Sequence, residues 1–450
     1  MRIPLALLLA LAPPVPLAPA DLDSAVADHM EVTGVPGLAY AVVGPDRIEH
    51  EGYEGVDGEG TPVDADTPFL WGSVAKPVTA TAALLLEDQG RLDLDAPVDT
   101  YLPEFASFGA DPTVRDLLYQ TSGITLGIGT EVSDHYGTDA PSLEDRVAQI
   151  AASEPGEPGT HEYSSANYLV AGAVMERVTG DFAGFLRDEV LAPAGMDSAL
   201  TGSEEARRAG LVPGHRLWWG TPVADATGVD DSGAAYGYLG GTLADLAAFA
   251  RMQLEEDPPL LDAPSLARAR EGAVPVPGSA QEYGLGWRET VLSGTEETVF
   301  FHGGAVPGYV ALLVVLPERE RAVVVLQNAY SMLADMHFQA LGLNLARLVA
   351  GADTRGPVGA APYGAAVWGA TGVVAVVGAV TLWPGRGRRL AALRAVVGAA
   401  AVAAAVLLLS AAGPRPALLW LPDVAVAAVA AGALGAVAAV RAAVTLARRP

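Results

Sequence analysis

The chain has 450 residues, 51% of them apolar, and carries a formal charge of −26 with no cysteine. Such a length supports one large core with material left for a second region. The lack of cysteine excludes disulfides and thiolate metal sites, and the scattered histidines show no ligand spacing of the HExxH kind, so no metal or cofactor is expected.

The N-terminus reads MRIPLALLLALAPPVPLAPAD, with one Arg, an apolar run from Ile3 to Leu11 and small residues at Ala18-Pro19-Ala20. This is the pattern of a secretory signal segment over residues 1–20, with an uncleaved anchor as the alternative. Residues 38–43 and 47–53, joined at Gly44-Pro45-Asp46, read as a β-hairpin. Val78, Ala82, Leu85 and Leu86 then recur at helical spacing, with Gly90 placed to end that helix. Further helical patterns fall at 143–152, 168–178, 243–253 and 332–349, and strand patterns at 299–302, 309–316 and 322–327, the last two joined by a turn over 317–320. A chain that is β at both ends and α in the middle predicts an α+β fold, in which the terminal strands form one antiparallel sheet, helices flank it and a helical insert packs beside it. The cleft between the two halves is the expected place for a site.

The last 90 residues change to an Ala, Val, Gly and Leu region with uncharged blocks at about 363–383, 395–413 and 424–440, each near the length that crosses a bilayer as a helix. Arg386, Arg388, Arg389 and Arg394 lie between the first two blocks, and Arg441, Arg448 and Arg449 follow the third, whereas the other loop has only Arg415. Positive-inside logic places the first group and the C-terminus in the cytoplasm and residues 21–350 outside, joined through a linker over 351–362. From Gly356 onward eight Arg face the single Asp423, which leaves 19 basic and 52 acidic residues before it, a charge of −33. That field repels phosphates and excludes a nucleic-acid role.

Of 27 basic side chains 26 are Arg, and the single lysine is Lys76 in WGSVAKPVTA. Ser73 lies three residues before it, so at the start of a helix the amine and the hydroxyl share one face. A lysine that loses its proton through burial can activate a serine, which arginine cannot do. The bland alternative is an N-cap serine beside a solvated lysine. Two further segments complement the pair: Tyr163 precedes a helix in HEYSSANY, and HGGAVPGY puts small residues at the end of a predicted strand, where backbone can approach a ligand.

With these segments GVPGLAYAVVG, TVRDLLYQTSGI, GYLGGTLADLAAFA and YGLGW, the chain over about residues 30–350 resembles the serine β-lactamase and penicillin-binding protein superfamily, within it the class C β-lactamase-related hydrolases. The resemblance implies Ser73 as acyl-forming nucleophile, Lys76 as its base and Tyr163 as a second proton relay. It also implies an oxyanion hole from the amides of Ser73 and Ala305, and substrate contacts at Ser165, His302, Gly303 and Gly304. Two positions depart from the family pattern: Tyr163-Ser164-Ser165 stands where Tyr-x-Asn is usual, with Asn167 two residues late, and His302 stands where a Lys often begins the strand motif. Loss of that fixed charge favours an uncharged or cationic ester or amide as substrate. The alternatives are a cell-wall D-alanyl-D-alanine carboxypeptidase or β-lactamase, and a non-catalytic cell-wall or ligand sensor with the same fold.

Overall fold

A computed structural model of the chain describes residues 19–225, 228–255, 258–356, 361–385 and 387–447. The terminal strands meet in one antiparallel sheet. Strand β1 (Gly37–Val43) pairs with β2 (Ile48–Gly55) on one side and with the last strand of the sheet, β8 (Arg321–Gln327), on the other. The sheet continues through β7 (Tyr309–Leu316), β6 (Thr298–Val306), β5 (Arg288–Val291), β4 (Glu282–Tyr283) and β3 (Val274–Pro275), giving the order β2-β1-β8-β7-β6-β5-β4-β3. Every residue of β1 and β7 is buried, which explains their unbroken apolar sequences, whereas the edge strand β2 exposes glutamates that discourage pairing with another chain.

The twofold alternation of side chains divides these strands between two cores. Leu38, Tyr40 and Val42 face helices α1 (Pro19–Thr33) and, near the end of the domain, Asp335–Val349. Ala39, Ala41 and Val43 face the other side, toward α2 (Ala75–Asp88) and the Leu243–Met252 helix. Each large aliphatic side chain so buried contributes about 1.5–3 kcal/mol. Helix α1 was not anticipated from the sequence; its Leu22 and Val26 pack on the sheet and His29 Nε2 lies 2.8 Å from Gln327 Oε1. The expected signal segment falls outside the described residues up to residue 18, and the expected linker does so over 357–360.

Between β2 and β3 the chain leaves the sheet to build the helical insert, which includes α3 (Leu126–Val132), α4 (Leu143–Ala151), α5 (Ser165–Thr179) and α6 (Leu243–Met252). Capping boxes start two of these helices, Ser142 with Asp145 and Thr242 with Asp245, each fixing a boundary by satisfying N-terminal amides. After α7 (Asp335–Val349) come α8 (Ala361–Leu382), α9 (Arg388–Ala412), the short α10 (Pro414–Trp420) and α11 (Pro422–Ala447). Three of these, α8, α9 and α11, are long and apolar enough to cross a membrane. Helix α9 begins before its uncharged block, and Arg394 within it donates to the carbonyls of Val380, 3.1 Å, in α8 and of Gly385, 3.2 Å, just beyond its end. Helix α11 likewise runs past its apolar block, and its Arg441 donates to Thr381 O at 2.7 Å.

Candidate active site

The short strand Phe69–Leu70, paired with Gly240–Gly241, delivers the chain to a buried Trp71 and then to a single 3-10 turn, Gly72–Val74, that runs into α2. Ser73 sits on that turn and Lys76 on the first turn of α2, so the tighter winding of the 3-10 turn brings the two side chains together. Lys76 Nζ is 2.8 Å from Ser73 Oγ, 2.8 Å from the Tyr236 carbonyl oxygen and 3.4 Å from Ser165 Oγ. Lys76 is wholly buried, and those three partners are uncharged. Desolvation therefore pushes its pKa below the ordinary lysine range; nearby Tyr163 opposes the shift and the Arg288 guanidinium adds to it.

Tyr163 projects from the loop that precedes α5. Lys76 Nζ lies 5.0 Å from its ring centroid and the Arg288 guanidinium carbon 5.2 Å from it. Gln120 holds that loop: its side-chain oxygen accepts from the Ser164 amide and from Asn167 Nδ2, both at 2.9 Å. Asn167 also accepts from Ser122 Oγ at 2.5 Å, so its amide is occupied inside the helical insert. Of Ser165 and Asn167, it is Ser165, at the first position of α5, that reaches Lys76.

Strand β6 brings the other half of the site. A β-carbon on Gly304 would overlap the Trp71 carbonyl and crowd the Ser73 amide, and one on Gly72, whose φ is +55°, would overlap the Ala305 amide. Two glycines thus let the strand lie directly against the turn that carries Ser73, with the Ser73 and Ala305 amides beside each other. Gly303 faces the opposite way, toward the Gln339 side chain on α7, so it has only backbone to offer a ligand. His302 is buried, with Nδ1 2.7 Å from Gly303 O and Nε2 3.2 Å from the Tyr283 hydroxyl. Burial, followed by the charges of Arg288 and Lys76, pushes its pKa well below the usual histidine value, so the ring is neutral.

Sequence reasoning missed Arg288. It lies on β5 directly after YGLGW, with its guanidinium carbon over both Tyr163 and Tyr283, at 5.2 and 5.4 Å, and NH1 donating to Gln281 Oε1 at 3.0 Å. The fixed positive charge that His302 does not supply is thus present, on a different strand. Its position follows from β4 and β5 adding to the β6 edge, a pairing between short segments with no local signal.

A family model described as Beta-lactamase matches residues 22–383. Penicillin-binding protein 4 of Amycolatopsis lactamdurans is 32% identical over 337 residues, which cover 68% of this chain and 85% of that protein. The octameric penicillin-binding protein homologue from Pyrococcus abyssi aligns with a TM-score of 0.64 at 24% identity, over 74% of this chain and 78% of that one. The D-alanine carboxypeptidase AmpC from Burkholderia cenocepacia aligns with a TM-score of 0.61 at 21% identity, over 74% of this chain and 99% of that one. Both structural likenesses show the α+β fold with its antiparallel sheet.

Proposed function

The chain belongs to the beta-lactamase family of serine hydrolases, and from that premise we propose that it cleaves an ester or amide bond through an acyl-enzyme at Ser73, on the outer face of a membrane crossed by α8, α9 and α11. The observation that carries this reading is the wholly buried Lys76 amine 2.8 Å from Ser73 Oγ. An unprotonated amine has two N–H donors and one lone pair. Tyr236 O and Ser165 Oγ take the donors, which leaves the lone pair for the Ser73 hydroxyl.

Ser73 Oγ passes its proton to Lys76 and attacks the acyl carbon, while the Ser73 and Ala305 amides receive the developing oxyanion. The proton then returns through Tyr163 and Lys76 to the leaving group, and water releases the acyl group by the same relay in reverse. The Arg-rich ends of α9 and α11 support a cytoplasmic C-terminus, and α10 then lies outside with the hydrolase domain.

Arg288 favours a second reading within the same chemistry: a substrate with a free carboxylate, as in a D-alanyl-D-alanine peptide or a β-lactam. Mass spectrometry of Ser73 after exposure to a fluorophosphonate, a neutral ester, a penicillin, and D-Ala-D-Ala peptides with free or amidated C-termini separates the two. Neutral donors acylating best supports the first reading. Preference for the free carboxylate, with KM raised about tenfold or more in Arg288→Ala, supports the second. No adduct on Ser73 with any donor refutes both.

A further inference from the structure

The active-site wall behind Lys76 is held from the membrane region. Arg415 on α10, in the loop between α9 and α11, donates to the Asp134 carbonyl at 2.6 Å, the Ser133 carbonyl at 2.8 Å and the Glu131 carbonyl at 3.2 Å, and lies 3.0 Å from His135 Nε2. These are the carbonyls at and beyond the C-terminus of α3, which have no partner within their own helix. Trp420 Nε1, at the other end of α10, donates to Asp134 Oδ2 at 3.0 Å. Asp134 adopts φ +61°, a left-handed conformation that a non-glycine residue keeps only when its surroundings enforce it.

From Asp134 the connection to the site is direct. Its amide donates to the Tyr236 hydroxyl at 2.9 Å, and its Oδ1 accepts from the Tyr238 hydroxyl at 2.8 Å. The Tyr236 hydroxyl donates in turn to Asp230, which is paired with the buried Arg146 at 2.7 Å. The Tyr236 backbone carbonyl is the acceptor that orients the Lys76 amine.

We propose that α10 completes the catalytic apparatus: Arg415 and Trp420 are positioning residues that hold Asp134, and through Tyr236 and Tyr238 they fix the carbonyl against which the Lys76 amine is set. The membrane region on this account does more than tether the domain. The inference rests on Lys76 acting as the base of the proposed reaction, and its test does not require turnover.

Because Lys76 is the single lysine, full-length chain labelled with 13C-lysine and reconstituted in lipid nanodiscs gives one side-chain signal to titrate. Lys76 also faces Tyr163, Tyr168, His302 and Arg288, and Asp134 also faces Asp230, Tyr136, Tyr236 and Tyr238, all of which stay in place in the variants compared. Burial is the largest influence on both groups, raising the pKa of Asp134 and lowering that of Lys76; against it, Arg415 favours the charged form of Asp134, and Asp134 favours protonated Lys76. Arg415→Ala is therefore expected to lower the Lys76 midpoint by about half a pH unit or more and to slow Ser73 acylation about tenfold at saturating probe. Trp420→Phe, which keeps the packing and removes one donor, should move both in the same direction by less. The control is Arg216→Ala: Arg216 donates to the Leu418 and Leu419 carbonyls of α10 but does not touch Asp134, and its loss should leave the midpoint in place. An unchanged midpoint in both Arg415→Ala and Trp420→Phe overturns the inference, as does an equal shift in Arg216→Ala. A midpoint that moves in a chain whose Ser73 is never acylated upholds the coupling and refutes the proposed reaction instead.

Discussion

Lys76 is the residue at which composition and geometry agree. An arginine there would retain the charge, but no side chain would then accept the Ser73 proton, and a bulkier cation would have to fit a site with no exposed surface. Lys76→Arg should cut the rate of Ser73 acylation by at least about 10³-fold, measured as adduct formation by mass spectrometry. The pH dependence has a definite sign. In the proposed mechanism the working form is the unprotonated amine, and burial lowers its pKa, so acylation should be level on the alkaline side and fall about tenfold per pH unit once pH drops below that lowered pKa. Burial likewise holds the His302 pKa well below the usual histidine value; an acylation profile that rises toward acid would contradict the assignment of Lys76 as base. The adjacency of Ser73 and Lys76 was legible in the sequence because it is local, three residues along one turn. Arg288 was not, because it enters the site from a strand whose neighbour is set only when the sheet forms.

At the scale of elements, the site depends on how closely β6 can lie against the turn before α2. Gly304 and Gly303 are consecutive and look equivalent in HGGAVPGY, yet alternation along the strand gives them opposite surroundings. A methyl group at 304 meets the backbone of Trp71 and Ser73, which cannot yield without moving Ser73, whereas one at 303 meets the movable end of Gln339. Gly304→Ala should therefore reduce kcat by about 100-fold or more, the size of losing an oxyanion donor, and Gly303→Ala by only several-fold. Steady-state kinetics on any ester that acylates Ser73 would compare them, and equal losses would contradict the packing described. Sequence periodicity located the long strands and the helices 143–151, 165–179, 243–252 and 335–349 to within a few residues, and two of those helices, 143–151 and 243–252, open on capping boxes. It missed α1 and the short strands β3 to β5, whose few apolar residues acquire a pattern only against their partners.

For the whole molecule, the charge of residues 1–355 acts over distances longer than any contact. Its sign favours encounter with cationic substrates, and salt screens it over about 10 Å at 0.1 M. Raising ionic strength from about 20 to 200 mM should lower kcat/KM for a cationic ester by several-fold and raise it for the matched anionic ester. The reverse outcome, with the cationic ester speeded and the anionic ester slowed by salt, would place Arg288, rather than the overall field, in control of selection. The sequence by itself determined the α+β class, the apolar C-terminal helices and the serine–lysine pair, because each rests on periodicity or on residues within one turn. Only the tertiary structure decided that Ser165 rather than Asn167 meets Lys76, that Arg288 supplies the site's fixed cation, and that α10 abuts the wall behind the amine. Those contacts join segments between roughly 90 and 280 residues apart, where the energy of packing, not local preference, selects the partner.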